Sequence, residues 1–369
     1  MNQKIAIIGS GIIGASLAFE LTRNGAEVSI FDKGDAGSGA TNHSFAWINA
    51  FGPKRPRHYF DLHLRSISIW PEFCDLIEDE LSLKLGGMCF FYPDEKRGED
   101  LNNRIKILQS WGYPIKKITK DELLDLVPNL ITGNVYSAAH CMDEGIVAAT
   151  KFAKSCLNKI SQLGGQIYLN TKVDQIKQSE DQISIIANNQ EKAFDKIVIC
   201  AGIDSTDLAK QVGIDLPQRV SPGVVVYGHT NKSILPNLSS ISIPAIEGNQ
   251  HDLHFRQDKH GEIRLSDGNQ DAERSDSSEK YTDQLMSHAS KYFNDLSDVK
   301  TQPFPVGYRP MPIDGLPCIG FSKKSPNVYL AVMHSGVSLA PIVSRLASSE
   351  IISGISEKEL KYYRPDRFE

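Results

Sequence analysis

Residues 5–14 constrain the fold of this chain most, because a short apolar strand leads directly into a turn that contains three glycines. Residues 5–8 are continuously apolar, as in a strand that is buried on both faces of a sheet. The turn is a GxGxxG, apolar residues then recur at helical spacing, and a second apolar strand, residues 28–31, ends at Asp32. This order of strand, glycine turn, helix, strand and acid predicts a βαβ unit that binds a dinucleotide.

The residues of the glycine turn have separate roles in such a unit. Gly9 permits the tight turn, Gly11 lets the backbone approach a pyrophosphate, and Gly14 lets the helix pack closely on the strand. Asp32 is placed to accept hydrogen bonds from ribose hydroxyl groups. Because the motif alone does not separate NAD from FAD, an NAD-dependent dehydrogenase is an alternative at this point. The residues predicted to bind the dinucleotide here are Gly9, Ser10, Gly11, Ile12, Ile13, Gly14, Asp32 and Lys33.

The overall composition argues against several other classes of protein. Apolar residues make up 40% of the 369 residues and charged residues 23%, which is ordinary for a globular protein with a core. The net charge is -5 and no block of basic residues stands out, so no nucleic-acid partner is expected. No apolar run approaches the roughly 20 residues that span a bilayer, and scattered cysteines suit a reducing compartment. The sequence therefore predicts a soluble, cytoplasmic protein without a membrane span.

The histidines of residues 250–256 raise the question of a metal. His251 and His254 form an HxxH, but on a strand this spacing does not place both side chains on one face. No third ligand is evident, and no CxxC pair occurs in the chain. We therefore expect no metal.

A loop of small residues follows Asp32, where a fold that binds only NAD would begin another βα repeat. Residues 37–44, Gly-Ser-Gly-Ala-Thr-Asn-His-Ser, can let a second long part of a cofactor pass along the backbone. Here the chain resembles the D-amino-acid oxidase/glycine oxidase/sarcosine oxidase family of flavoproteins, whose FAD lies over such a loop. The resemblance implies FAD as the cofactor, with contacts from Ala40, Thr41, His43 and Ser44.

Two later segments repeat the pattern of an apolar strand followed by small residues. Residues 196–202 lead into a helix start at Ser205, and residues 327–333 lead through His334 into a helix that reaches Ile352. From the pattern alone, these are unrelated βα units in a single doubly wound sheet. The resemblance implies instead that they belong to one FAD-binding domain, with the second helix start facing the pyrimidine side of the flavin. Its implied cofactor contacts are Val173, Cys200, Ala201, Gly202, Gly336, Val337, Ser338 and Leu339.

The fold class that follows is α/β. It combines a discontinuous, Rossmann-like FAD-binding domain of the glutathione-reductase type with an α+β substrate domain that contains an antiparallel sheet. Residues 1–85, 140–218 and 304–369 are assigned to the FAD-binding domain. Residues 86–139 and 219–303 are assigned to the substrate domain.

Residues 307–317 form a second motif. They resemble the family's G-x-R-P-x-x-x-D-G-x-P stretch, whose arginine clamps the substrate carboxylate. Arg309 suits this role because its planar fork pairs both carboxylate oxygens at once, and the alternative is an arginine in a surface or structural ion pair. His334 is placed to accept a proton or bind a carboxylate, or it simply makes a hydrogen bond at a strand end. Arg309 and His334 are the predicted catalytic residues, and Arg309 is also predicted to contact the cofactor.

The sequence leaves the attachment of the flavin open. The sarcosine oxidase branch carries a covalent flavin on a cysteine at the position that Gly307 occupies here. His43 aligns with the histidine that dimethylglycine dehydrogenase-like members bond to the flavin 8α-methyl, although Asn42 replaces their tryptophan. His43 is therefore either a covalent attachment point or a noncovalent neighbour of FAD.

The predicted function is the FAD-dependent oxidation of the C–N bond of a small amino acid or a secondary or tertiary amine. The product is an imine, formed by hydride transfer to flavin N5, and a D-amino acid, glycine or an N-methyl amino acid would serve as substrate. This small molecule is the expected partner, and a homo-oligomer or a hetero-complex is compatible with it. The alternatives are an NAD-dependent dehydrogenase and a flavin-bearing subunit of a larger amine dehydrogenase complex.

Overall fold

The computed structural model describes residues 3–52, 56–79, 82–179, 182–245, 251–269, 276–302 and 305–369. Its helices are α1 (Ile12–Arg23), α2 (Arg57–Ile77), α3 (Glu95–Ser110), α4 (Lys120–Leu126), α5 (Ala149–Gln162), α6 (Ser205–Lys210), α7 (Glu279–Ser290) and α8 (Gly336–Ser353). Its strands are β1 (Lys4–Ile8), β2 (Glu27–Phe31), β3 (Trp47–Ile48), β4 (Leu83–Leu85), β5 (Met88–Tyr92), β6 (Ile115–Ile118), β7 (Ser137–Cys141), β8 (Gly145–Val147), β9 (Gln166–Tyr168), β10 (Val173–Gln178), β11 (Ile183–Ala187), β12 (Gln190–Phe194), β13 (Lys196–Ile199), β14 (Pro222–Gly223), β15 (Val226–His229), β16 (Ser240–Ile243), β17 (Leu253–Gln257), β18 (Glu262–Ser266), β19 (Thr301–Gln302), β20 (Gly307–Tyr308), β21 (Cys318–Ser322) and β22 (Ser325–Val332).

One sheet has the strand order β21-β22-β13-β1-β2-β9. All neighbouring pairs are parallel except β21 and β22, which are antiparallel. The three strands picked out by the sequence pattern, β1, β13 and β22, are neighbours at its centre, where their apolar side chains are buried. Because the carboxyl ends of parallel strands lie at one edge of a sheet, the small-residue turns that follow these strands meet there.

The helices α1, α5, α8 and α2 pack together beside this sheet. Ala15, Leu17 and Ala18 of α1 have no exposed surface, so α1 is buried between α5, α8 and the strands. Helices α1 and α8 begin directly after the turns that follow β1 and β22. Their amino-terminal ends therefore point at the same edge of the sheet, where they offer unpaired N–H groups and a partial positive charge.

A second sheet has the order β19-β15-β18-β17-β16-β5-β7-β6. Its pairs are antiparallel except β16 and β5. Since side chains alternate along a strand, Leu253 and Phe255 of β17 pack in an apolar cluster on one face. His254 and Arg256 of the same strand therefore lie on the opposite face.

The parallel sheet and the largely antiparallel sheet confirm the predicted fold class, a Rossmann-like α/β unit combined with an α+β unit. The six cysteines are all buried as free thiols. Within the described part of the chain, no helix has both the length and the apolar character that crossing a bilayer requires.

Candidate active site

A cavity of about 920 Å³ opens at the carboxyl edge of the parallel sheet. The turns after β1, β2, β13 and β22 line it, together with the first turns of α1 and α8 and residues of β17 and β18. Of the residues predicted from the sequence, those that line it are Gly9, Gly11, Ile12, Ile13, Asp32, Lys33, Ala40, Thr41, His43, Ser44, Val173, Cys200, Ala201, Gly202, Arg309, His334, Gly336, Val337 and Ser338. Ser10, Gly14 and Leu339 lie behind this surface.

The glycine turn leaves a stretch of bare backbone at one end of the cavity. Gly9 has φ +110°, and a Cβ there would lie 2.4 Å from the carbonyl oxygen of Cys200. A Cβ on Gly14 would lie 1.9 Å from the carbonyl oxygen of Gly9 and 2.8 Å from the Cys200 sulfur. Only glycine fits at either position, so the start of α1 is exposed to the cavity as a cradle that suits a pyrophosphate.

Asp32 lines the cavity beside this cradle, and the surrounding backbone fixes its carboxylate. Its Oδ2 accepts hydrogen bonds from the backbone N–H of Ser10 at 2.6 Å and from the Ser10 hydroxyl at 2.8 Å. Its Oδ1 accepts from the N–H of Gly34 at 2.9 Å. Ser10 therefore acts behind the cavity wall, where it orients the acid that faces the cavity.

The loop 39–49 forms the adjoining wall. The Thr41 hydroxyl accepts a hydrogen bond from the N–H of Ile12 at 3.0 Å and so ties the loop to the first turn of α1. Nδ1 of His43 lies 3.0 Å from the carbonyl oxygen of Gly39. Since a carbonyl only accepts, Nδ1 carries the proton in this contact. A Cβ on Gly307 would lie 2.4 Å from the Cβ of His43, so these two backbones meet closely.

Two buried arginines of the second sheet lie behind this loop, and one of them binds its backbone. Arg264 donates from Nη1 to the carbonyl oxygens of Ser44 at 2.5 Å and Asn42 at 3.3 Å. Arg256 is fully buried, and burial together with neighbouring Arg264 lowers its pKa to about 9. The carboxylate of Glu262 pairs with both guanidinium groups. The second sheet thus sets the position of the loop that carries His43.

Arg309 follows β20 and is held by the short ribbon that β20 forms with β14. Its N–H donates to the carbonyl oxygen of Ser221 at 2.9 Å, and its guanidinium donates to the carbonyl oxygen of Pro222. A Cβ on Gly223 would lie 2.2 Å from Nη2 of Arg309, so the glycine makes room for the guanidinium. Burial lowers the pKa of Arg309, and the carboxylate of Asp267 opposes this. The result is a positioned, half-buried cation in the cavity wall.

The start of α8 forms the wall that carries His334. Ser335 caps the helix in the left-handed region with φ +60°, and Gly336, Val337 and Ser338 line the cavity. The Ser338 hydroxyl donates to the carbonyl oxygen of Trp47 and accepts from the N–H of Asn49, both at 3.0 Å. It therefore joins α8 to the loop 39–49. Leu339 is fully buried in the core.

A buried carboxylate that the sequence analysis missed supports the same loop. Glu144 has no exposed surface, and it accepts from the indole N–H of Trp47 at 2.8 Å and from the backbone N–H groups of Ala50 and Phe51 at 3.1 and 2.9 Å. The hydroxyl of Tyr113 donates to it as well. Burial raises the pKa of Glu144 to about 7, although these donors oppose the change.

The cavity residues that the sequence analysis did not assign to the site come from distant segments and include Phe45, Trp47, Tyr59, Arg219, His254, Ser266 and Ser335. Trp47 and Phe45 pack against the ring of His254, with centroids 5.4 and 6.0 Å apart. The alternation of polar residues along β17 is the one local signal that could have placed His254 on the cavity side.

The fold and the cavity together define a class of protein: one that can hold a dinucleotide on a Rossmann-like unit, in a cavity whose wall is completed by a second sheet. The glycine cradle, the fixed acid of Asp32 and the dipole of α8 fit such a cofactor. The chain belongs to the DAO family of FAD dependent oxidoreductases, whose sequence profile matches residues 4–350. Its cofactor is FAD, and it acts on amines or amino acids.

Individual relatives agree with this assignment. The chain is 25% identical to an opine oxidase subunit from Rhizobium meliloti, over 99% of this chain and 97% of that protein. It is 24% identical to glycine oxidase of Geobacillus kaustophilus, over 93% and 91% of the two chains. Its fold is similar to the crystal structure of glycine oxidase from Bacillus cereus, with a TM-score of 0.85, 20% identity and 98% of each chain covered.

Proposed function

We propose that this enzyme oxidises the C–N bond of a small amino acid, or of a secondary or tertiary amine that carries a carboxylate, to an imine. D-amino acids, glycine and N-substituted amino acids are the substrate class. The observation that supports this most is the guanidinium of Arg309, which lines the same cavity as the glycine cradle and Asp32. FAD, when bound, accepts the hydride at N5.

Arg309 binds the substrate carboxylate in this proposal. Its backbone bond to Ser221 and its guanidinium bond to Pro222 hold the fork in place before the substrate arrives. Such preorganisation lowers the entropic cost of orienting the Cα–H bond. Because the guanidinium is partly desolvated, its pairing with a carboxylate is stronger than a pair in open water.

His334 accepts the proton that the substrate ammonium must lose before oxidation. It lies in the same cavity as Arg309, directly before the start of α8.

The positive end of α8 favours negative charge at the cofactor side of the cavity. The predicted cofactor-binding residues that line the cavity hold FAD, while Ser10 and Gly14 shape the cradle from behind and Leu339 packs α8.

The experiment is anaerobic bleaching of the yellow protein with matched pairs of ligands. Each pair contains an amino acid and the amine that lacks its carboxylate, and the panel covers glycine, sarcosine, D-alanine, proline and N-(carboxyalkyl) amino acids. We expect bleaching by carboxylates only, and Arg309→Met should lose this discrimination while it keeps its FAD absorbance. A colourless protein that FAD cannot reconstitute, or equal bleaching by both members of each pair, would contradict the proposal.

A second candidate is the same chemistry in one subunit of a larger complex. The similarity to a protein that is named as a subunit of an opine oxidase, over nearly the full length of both chains, favours it. Turnover by the purified chain alone decides between the two. Bleaching without turnover under air or with soluble quinones would indicate that another subunit passes on the electrons.

A further inference from the structure

Three hydroxyl and imidazole groups form a hydrogen-bonded row at the start of α8. The Ser335 hydroxyl lies 3.2 Å from Nδ1 of His334. The Ser335 side chain also acts as a hydrogen-bond donor toward the hydroxyl of Tyr59 on α2, which opposes the effect of burial on the pKa of Tyr59. All three residues line the cavity that also contains Arg309. The row therefore connects the imidazole to a helix that contributes nothing else to the proposed chemistry.

The backbone of Ser335 adopts a conformation in which glycine is more usual than serine. Ser335 has φ +60° and ψ +22°, a left-handed conformation that is strained for a non-glycine residue. Glycine would adopt it without this strain and is the usual residue at such a position. The chain accepts the strained backbone, and what serine adds over glycine here is the hydroxyl that meets His334 and Tyr59.

Tyr59 is placed to keep this hydroxyl in one orientation. Its ring is only 5% exposed and packs edge-on against His63, with centroids 4.5 Å apart. Burial raises the pKa of Tyr59 to about 12, so its hydroxyl stays protonated and uncharged near neutral pH. A neutral, immobile phenol can hold a serine hydroxyl without adding a charge to the site.

We infer that Ser335 and Tyr59 are positioning residues that fix the proton of neutral His334 on Nδ1, so that Nε2 is the atom that accepts the substrate proton. The inference rests on the proposed function of His334 as the proton acceptor. In the row, Nδ1–H donates to the Ser335 oxygen and the Ser335 O–H donates to the Tyr59 oxygen. When a substrate binds, its N–H bond breaks and an Nε2–H bond forms. The amine keeps the electron pair, and no oxidation accompanies this transfer.

Other titratable or charged side chains line the same cavity and enter any pH profile. They are Tyr59 from α2, His43 from the loop 39–49, His254 from β17, Tyr308 and Arg309 from the segment at β20, and, elsewhere in the wall, Asp32, Lys33, Lys172, Asp174, Asp204, Asp207 and Arg219. The oxygen of Ser335 favours the imidazolium by accepting from Nδ1–H. Removing the Ser335 hydroxyl therefore moves the acid limb of the kcat/KM profile to lower pH.

The first measurement needs no substrate, so its outcome is independent of the proposed function. Nitrogen-15 chemical shifts of histidine-labelled holoenzyme report the tautomer, with His334→Gln used to assign the signal. We expect the Nδ1–H tautomer in the wild type and a mixture in Ser335→Gly and Tyr59→Phe. Ser335→Gly removes the hydroxyl and suits the left-handed backbone, so any change in the tautomer comes from the missing hydroxyl and not from added backbone strain. The matched control is Tyr363→Phe, which removes a buried hydroxyl that bonds to His58.

The second measurement is the pH dependence of kcat/KM with a substrate found by bleaching. Ser335→Gly and Tyr59→Phe should lower kcat/KM about tenfold near neutral pH and move the acid limb to lower pH, whereas Tyr363→Phe moves neither. An Nε2–H tautomer in the wild type would overturn the inference. An unchanged tautomer or an unchanged acid limb in Ser335→Gly would do the same. If no substrate bleaches the wild type, the proposed function fails, and the tautomer still decides the positioning role.

Discussion

Glu144 offers a direct test of the structure, because its protonation links the stability of the protein to pH. It is fully buried and raised in pKa to about 7 from an ordinary value of 4.5, chiefly by burial. Between these values the folded protein keeps a proton that the unfolded chain releases. The free energy of unfolding contributed by Glu144 is therefore greatest below about pH 4.5 and falls as the pH rises through about 7.

The magnitude follows from the same two values. The difference between about 7 and 4.5, at about 1.36 kcal/mol per pH unit, corresponds to about 3 kcal/mol of stability lost across this range. Glu144→Gln removes the ionisation and keeps an oxygen for the N–H groups of Ala50 and Phe51. It also places an amide N–H against the indole N–H of Trp47, so that hydrogen bond is lost. The free energy of unfolding therefore falls by about 1–3 kcal/mol at every pH.

The assay is equilibrium urea unfolding at saturating FAD, between about pH 5 and pH 8. We expect Glu144→Gln to be less stable than the wild type at the acid end and to lose less stability as the pH rises. Glu27→Gln, at an exposed position of β2, is the matched control and should follow the wild type. Parallel stability curves for the wild type and Glu144→Gln would refute the reasoning, because the pKa of the Glu144 carboxyl would then be the same in the folded and the unfolded protein.

Two further predictions concern the proposed site. Arg309→Lys should raise KM for carboxylate substrates and leave FAD absorbance unchanged. Losing one arm of a bidentate pair costs about 1.5–3 kcal/mol of binding free energy, or roughly ten- to a hundredfold in kcat/KM. An unchanged KM would remove Arg309 from the site. Gly14→Ala should abolish FAD retention on gel filtration, because its Cβ would lie 1.9 Å from the carbonyl oxygen of Gly9. Gly25→Ala, which is strained but has open space around it, should keep FAD and serves as the control.

The features that the sequence predicted are those that a short segment determines by itself. The strand, turn and helix of residues 5–23 form as the spacing of glycines and apolar residues requires, and Asp32 lies at the end of the next strand. The strand at residues 196–199 pairs with β1, and the strand at residues 325–332 pairs with it on the other side, as their continuous apolar runs allow. In each case, the backbone geometry and the burial of the segment itself leave few alternative local structures.

The features that the sequence did not predict depend on contacts between distant segments. Glu144 follows an ordinary turn, and only the loop that reaches it from nearly a hundred residues away makes it a buried acceptor. Tyr59 lies on the buried face of a long helix, where an aromatic residue is indistinguishable from core until α8 packs against it. His254 of β17 was considered only as a metal ligand and rejected, and its place in the cavity wall depends on how β17 packs against distant segments. Contacts of this kind are set by the topology of the whole fold rather than by the local sequence pattern.

The attachment of FAD is the last prediction, and it depends on the surroundings of His43. Nδ1 of His43 already donates to the carbonyl oxygen of Gly39, and the backbone on either side is held by Arg264. The Cβ of His43 also occupies the space that a side chain at position 307 would need, so a cysteine there does not fit without movement. Asn42 stands where members of the family with a covalently bonded histidine carry a tryptophan, and we expect His43 to contact FAD without a covalent bond. After acid precipitation the yellow colour should remain in the supernatant, and His43→Ala should weaken FAD retention without changing this result. A yellow pellet from the wild type that turns colourless in His43→Ala would show that the histidine carries the flavin after all.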